Sequence, residues 1–360
     1  MAEAISINRT VSPNEAKRAL RKCIRINRPA FLWGAPGIGK SDIAHQLGAE
    51  SNRNVIDIRL SLWDPTDIKG MPYYNPTMNT MCWAPPMEFP TDPESTDILF
   101  LDELNSAAPA TQAAAYQLIL NRRVGTYVLP KGVSIIAAGN RETDKGVTYR
   151  MPAPLANRFV HLEMRTDFAD WLQWATNVNI HEQVVGYLSF SKSDLYDFDP
   201  RAATRSFATP RSWVFVSELL KDNDVDDGTL TDLVAGAIGE GLAVKFMKHR
   251  EIAKQMPNPV DVLTGKVTKT TIKEISAMYS LAISMCYELK ESDRLKAKDW
   301  DAMSDNFLRF MMDNFPTELT VMGAKVALTN YDLPFDPSKM KYFDDFHEKY
   351  GKLIITAMEQ

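Results

Sequence analysis

FLWGAPGIGKS, residues Phe31–Ser41, reads as an apolar strand, a glycine-rich turn and the opening of a helix. Gly34-x-x-x-x-Gly39-Lys40-Ser41 fits the phosphate-loop pattern without a substitution. The chemistry behind the pattern is specific. The loop from Gly34 through Ala35, Pro36, Gly37 and Ile38 to Gly39 joins the free N-terminus of a helix to form an anion cradle. Its glycines turn without a Cβ and let the backbone approach phosphate oxygens. Lys40 is placed to reach the β- and γ-phosphates, and the Ser41 hydroxyl to ligate Mg²⁺. A glycine-rich strand-to-helix turn also arises for packing alone, so the downstream motifs carry the decision.

Two such motifs lie further along the chain. Asp97–Glu103, DILFLDE, is an apolar run ending in two acids, the form of a buried parallel strand. A carboxylate pair at the C-terminal end of such a strand lies where open α/β sheets bind ligands. Asp102 is then the candidate to hold Mg²⁺ and Glu103 to polarise an attacking water. The bland alternative is a pair of helix-capping acids, but Asn105 and Ser106 are better placed to cap the helix that starts a few residues later. Val133–Ala138 is another buried strand, ending in Gly139-Asn140. The Asn140 amide could meet a γ-phosphate or the water, although an Asn after a strand is usually a turn residue.

Composition narrows the class. The chain has 360 residues, enough for one large α/β domain and a smaller one. A net charge of −5 argues against general affinity for nucleic acid. Cys23, Cys82 and Cys286 are too scattered for a disulfide framework or a zinc site, which implies a reducing compartment. No apolar run approaches the ~20 residues that span a bilayer. The N-terminus lacks a signal peptide's apolar core, so a cytoplasmic protein is expected. No H-E-x-x-H occurs, and metal-hydrolase chemistry has no support.

Elsewhere the pattern sets out the organisation. Ser12-Pro13-Asn14-Glu15 is a capping box opening a helix ahead of the strand Ala30–Trp33. Val55–Leu60 reads as a strand. Ser61–Pro90 is punctuated by prolines, with Tyr73–Trp83 as a hairpin whose aromatics either cover the sheet edge or grip a partner. Pro109–Arg122 reads as a helix, Val124–Lys131 as a second hairpin and Val160–Met164 as a strand. Beyond Asp167 the pattern is helical, including Thr209–Leu220, Leu230–Lys248, Ile272–Leu289, Asp301–Asn314, Thr317–Leu328 and a stretch within Asp336–Gln360.

Taken together, GAPGIGKS at Gly34–Ser41, Pro65–Gly70, LDELNSAAPATQAA at Leu101–Ala114, AAGN at Ala137–Asn140, LANRF at Leu155–Phe159 and TPRS at Thr209–Ser212 resemble AAA+ ATPases, and more narrowly the MoxR group. The resemblance covers about Asn27–Leu220. It implies a doubly wound parallel α/β sheet at 1–165 followed by a helical lid at 166–295; the helical extension at 296–360 is read from the chain's own pattern, since the resemblance does not reach beyond about Lys296. Lys40 and Ser41 would bind phosphate and Mg²⁺, with Asp102 and Glu103 as the Walker B pair. By the same resemblance Asn140 is the first sensor, Arg158 the finger reaching a neighbour's nucleotide and Arg211 the second sensor. Ser61–Pro90 falls where the family has its insert. The chain departs from MoxR relatives at Arg150, where they usually carry a proline; Arg150 reads either as a second contact across the subunit boundary or, the reading favoured, as surface charge.

The resemblance implies an ATP-hydrolysing ring, commonly a hexamer, that remodels or loads a partner protein, in this group often one with a von Willebrand factor A domain. Two rival functions are a nucleic-acid translocase and a nucleotide-dependent scaffold with little turnover. The acidic balance counts against the first, and the joint presence of Glu103, Asn140, Arg158 and Arg211 against the second.

Overall fold

Three of the apolar runs become the centre of a parallel sheet. In a computed structural model of the chain, which describes residues 9–144, 148–202, 204–222, 224–271 and 273–359, the strands are β1 (Thr10–Val11), β2 (Ala30–Trp33), β3 (Val55–Arg59), β4 (Met71–Asn75), β5 (Thr80–Ala84), β6 (Ile98–Asp102), β7 (Arg123–Val124), β8 (Tyr127–Val128), β9 (Ser134–Gly139) and β10 (Val160–Met164). Six of them form one sheet in the order β1-β10-β2-β9-β6-β3, with every neighbouring pair parallel. The central strands β6 and β9 are buried along their whole length. Their unbroken apolar runs show why: with helices on both faces, alternation has nothing to select.

The helices of this part are α1 (Pro13–Arg25), α2 (Lys40–Ser51), α3 (Pro65–Lys69), α4 (Pro109–Asn121) and α5 (Ala153–Ala156). The expected capping box forms: the Ser12 hydroxyl accepts from Glu15 N–H, and the Glu15 carboxylate accepts from Ser12 N–H at 2.8 Å. Ile68 of α3 and Ala114, Ala115, Leu118 and Ile119 of α4 share one core with Phe31, Leu99, Leu101, Ile135 and Ala137 of the sheet. Outside the sheet, β4 and β5 make one antiparallel hairpin and β7 and β8 another. Both hairpins are where the sequence places them.

The chain divides into two units, Met1–Asp167 and Phe168–Gln360. The second is helical: α6 (Phe168–Asn177), α7 (Glu182–Phe190), α8 (Pro210–Lys221), α9 (Asp227–Ile238), α10 (Glu240–Ala253), α11 (Pro259–Leu263), α12 (Ile275–Arg294), α13 (Trp300–Asn314), α14 (Thr317–Thr329) and α15 (Phe343–Glu359). Two readings need correction. The single helix expected over Leu230–Lys248 is two, α9 and α10, broken at Gly239, whose φ of 92° no helix admits. The helix expected from Ile272 begins at Ile275, and Ile272 itself lies outside the described residues. One core runs through this unit from Trp171 and Trp213 to Phe307, Phe346 and Ile354, so the helices on either side of residue 296 pack together.

A buried histidine sits in that core. His249 of α10 is 5% exposed, its Nε2 lies 2.7 Å from Ser280 Oγ on α12, and its Nδ1 has no partner among the described residues. Burial pushes its pKa from the ordinary 6.5 down to about 4. As pH falls the unfolded chain therefore takes up this proton first. The stability His249 contributes is fully present above pH 6.5 and is lost as pH falls toward 4, about 3 kcal/mol at most. Denaturant unfolding of wild type and His249→Gln across that window should show a shallower pH slope for the variant. Equal slopes would contradict a neutral, buried His249.

Candidate functional site

Because the strands are parallel and neighbouring registers are tight, their C-terminal ends line one edge of the sheet. Trp33 lies opposite Gly139, Leu101 opposite Ala137, and Arg59 opposite Asp102. Directly beyond three of those ends stand Gly34, Asn140 and Glu103, and Ser61 follows two residues after the end of β3, so three separate sequence motifs meet at one place. Ligands of open α/β sheets bind at such an edge.

The loop after β2 keeps its backbone folded over the strand ends. Gly34 N–H donates to Gly139 O at 3.3 Å, and Gly37 and Gly39 adopt φ of 74° and 90°, values that a side chain disfavours. Gly39 is the N-cap of α2 and no side chain caps the helix, which leaves its first N–H groups to the loop's concavity. Lys40 Nζ donates to Gly34 O at 2.8 Å, Ala35 O at 3.0 Å and Asn140 Oδ1 at 3.0 Å. The ammonium thus joins the loop to the end of β9. Ser41 Oγ donates to Asp102 Oδ2 at 2.9 Å, joining the start of α2 to the end of β6.

Asp102 is buried at the last position of β6, and its other oxygen accepts the Glu103 N–H at 2.8 Å. Glu103 leaves the strand in the left-handed region, φ 55°, which turns its side chain away from the ladder direction. Its carboxylate accepts from the Ser61 hydroxyl and lies 3.7 Å from Arg59 Nε. The arginine contact is long and solvent-exposed and adds little energy. The hydroxyl contact sets the carboxylate's direction.

Lys40, Ser41, Asp102, Glu103 and Asn140 are therefore brought together. Arg158 and Arg211 are exposed, and neither side chain makes a hydrogen bond or ion pair among the described residues. Arg158 comes after α5 on a turn pinned by buried Leu155 and Phe159, the latter edge-on to Phe31 at 5.4 Å. Arg211 lies in the first turn of α8 in the second unit, within the capping box that Thr209 and Ser212 form. Arg150 is exposed as well.

Two further residues belong to the cluster. Ser61 is visible only once β3 is known to neighbour β6. Asn105 is placed by the sequence as a helix cap, yet α4 starts after Ala108 with no side-chain cap, and Asn105 is completely buried. It bonds instead to the backbone of Asn140. Its signal in the sequence is position alone, two residues after Glu103.

Residues 30–161 match the family model described as the ATPase family associated with various cellular activities (AAA). The matched residues lie within the first unit. Among solved structures, the chain is similar to a putative ATPase from Cytophaga hutchinsonii, at 13% identity over 97% of this chain and 90% of that one, TM-score 0.37. It is similar to the Thermotoga maritima RuvB Holliday junction branch migration motor, at 16% identity over 84% and 86%, TM-score 0.35. It is also similar to NtrX from Brucella abortus in complex with ADP, at 13% identity over 94% and 68%, TM-score 0.38.

Away from the strand edge, the first unit carries its two hairpins tied together. Trp83 N–H donates to Thr126 Oγ1 at 3.4 Å, and that hydroxyl donates back to Trp83 O at 2.8 Å. The Trp83 ring packs on Gly125, while Tyr73 and Tyr74 are exposed beside exposed Met71, Met78 and Met81. Trp83 is thus held between the two hairpins, while the tyrosines are left at the surface. Trp83→Ser should lower the melting temperature, whereas Tyr73→Ser and Tyr74→Ser should stay within about 0.5 kcal/mol of wild type. Comparable losses for all three in thermal melts would show that the tyrosines also pack.

Proposed function

We propose that this chain is a Mg²⁺-dependent ATP hydrolase of the MoxR kind, working as a ring, commonly a hexamer, to remodel or load a partner protein in the cytoplasm. The observation that supports the reading best is Lys40 Nζ shared between the loop carbonyls and Asn140 Oδ1, with Ser41 on Asp102 alongside. A cation, an uncapped helix start, a hydroxyl–carboxylate pair and a second acid converge where a triphosphate needs them. The backbone of Gly34–Gly39 would cradle the phosphates and Lys40 would reach the β- and γ-oxygens.

The Ser41–Asp102 pair suits Mg²⁺, a hard cation that takes one or two protein oxygens and completes its shell from phosphate and water. Among the described residues no cluster of three His, Cys, Asp or Glu gathers, as a cage for a tighter-held metal would need. When bound, the ion would neutralise charge building on the β- and γ-oxygens. Glu103 is assigned to the attacking water and Asn140 to its orientation. Arg158 acts on a neighbouring subunit's nucleotide, and Arg211 as a second sensor. A von Willebrand factor A domain protein is the partner that the MoxR resemblance suggests.

Lys40→Ala should abolish ATP binding, while Glu103→Gln should bind ATP and stall. Lys40 acts on ground-state phosphates and Glu103 only on the water. Turnover by Glu103→Gln above about a tenth of wild type would remove the water-activating role.

Assembly gives a separate test. Guanidinium is planar, permanently charged and bidentate, which suits a group that stabilises phosphoryl charge from across a boundary. Arg158→Ala should keep ATP affinity and lose turnover by about 10³-fold or more. Mixed with Lys40→Ala, it should regain part of the activity, because an intact Arg158 then faces an intact Lys40. A mixture that co-assembles yet stays inactive would sink the trans role.

A further inference from the structure

Asn105 spends its whole side chain on one neighbour. Nδ2 donates to Asn140 O at 2.7 Å and Oδ1 accepts Asn140 N–H at 3.2 Å. This is how an adjacent strand would hold a residue, and Asn140 is the first residue past β9, where the ladder no longer reaches. The fit is close. A Cβ at Gly139 would stand 2.1 Å from Asn105 Oδ1 and 2.8 Å from the Phe31 ring. Asn105 is itself held, since its carbonyl accepts Tyr149 N–H at 2.7 Å and it sits in the 3-10 turn Leu104–Ser106 directly after Glu103.

We propose that Asn105 is a positioning residue for the hydrolytic step: it fixes the Asn140 backbone so that the Asn140 amide is aimed at Lys40 and at the phosphate that Lys40 attends. The inference rests on the ATP-hydrolase reading above. It makes the loop of Asp102 and Glu103 set the place of the residue opposite, so water activation and water orientation share one rigid support. An amide is the side chain that can both donate and accept here. Aspartate would set a carboxylate against the Asn140 carbonyl, and an apolar residue would leave two part-buried main-chain groups without this partner.

The test compares Asn105→Ala and Gly139→Ala with Asn140→Ala and the Asn105→Ala/Asn140→Ala double variant. ATP Kd, kcat per folded subunit, melting temperature and amide exchange over residues 134–142 are read in each. Asn105→Ala and Gly139→Ala should hold Kd within about threefold and lose about ten- to a hundredfold in kcat, with faster exchange at 134–142. In the Asn140→Ala background, Asn105→Ala should cost little more, because the two act as one unit. A lower melting temperature with kcat per folded subunit unchanged would leave Asn105 a structural residue and overturn the inference, as would fully multiplicative losses in the double variant. Should Asn105→Ala not fold, Gly139→Ala decides: a normal kcat overturns the inference, and a reduced kcat with faster exchange supports it. A wild-type chain that binds no ATP overturns both readings. A hydrolysing wild type with a fast Asn105→Ala overturns this one alone.

Discussion

The parallel register between β2 and β9 is the constraint on which the rest of the site depends. Trp33 opposite Gly139 places the loop after β2 beside Asn140, and only then does Lys40 Nζ come within 3.0 Å of the Asn140 amide. Hydrophobic alternation does not set this register, because both faces of the two strands are buried. Size does. Phe31 pairs with Ala137, and its ring fills the space beside Gly139, where even a methyl group would stand 2.8 Å from it. A slip by one residue would reverse every side chain and set Phe31 against a different row. The run Ala137-Ala138-Gly139 is therefore a packing solution that fixes the distance between Lys40 and Asn140.

From that register the remaining contacts arise as a chain of cross-links between strand ends. Lys40 bridges β2's loop to β9, Ser41 bridges α2 to β6, Ser61 bridges the end of β3 to Glu103, and Asn105 closes β6's loop back on β9. Each bond is modest alone, but partly buried polar networks reinforce one another and resist rearrangement. The outcome is a set of functional groups mounted on rigid strands, with the irregular backbone confined to short loops between them.

Much of this was legible in the sequence, for identifiable reasons. Gly34–Ser41 is legible because its glycines, lysine and serine answer to local backbone chemistry that eight residues contain. Asp102, Glu103 and Asn140 are legible because each terminates an apolar run, and strand ends are where parallel sheets keep their sites. The partners were not legible. Ser61 and Asn105 acquire meaning only from strand order and from a contact 35 residues away, which no local pattern encodes. Asn105 also misled, since Asn before a helix ordinarily caps it. In the second unit the break at Gly239 was hidden because helical periodicity resumes on its far side in nearly the same phase.

The continuous core of the second unit has a bearing on how the chain is made. Trp171 and Tyr350 belong to the same apolar cluster, and Thr176 Oγ1 donates to Asn330 O at 3.2 Å across 154 residues. During synthesis the strands of Met1–Asp167 emerge together and hold their own internal contacts, so that unit is able to fold while the ribosome is still at work. The helices from Phe168 onward have no such option. α7 leaves the exit tunnel well before α12, the helix it packs against most, exists to cover it, and its apolar face waits in water in the meantime. At about 5–20 residues per second, that wait lasts on the order of ten seconds, the interval in which a nascent helical segment most needs shielding from its neighbours.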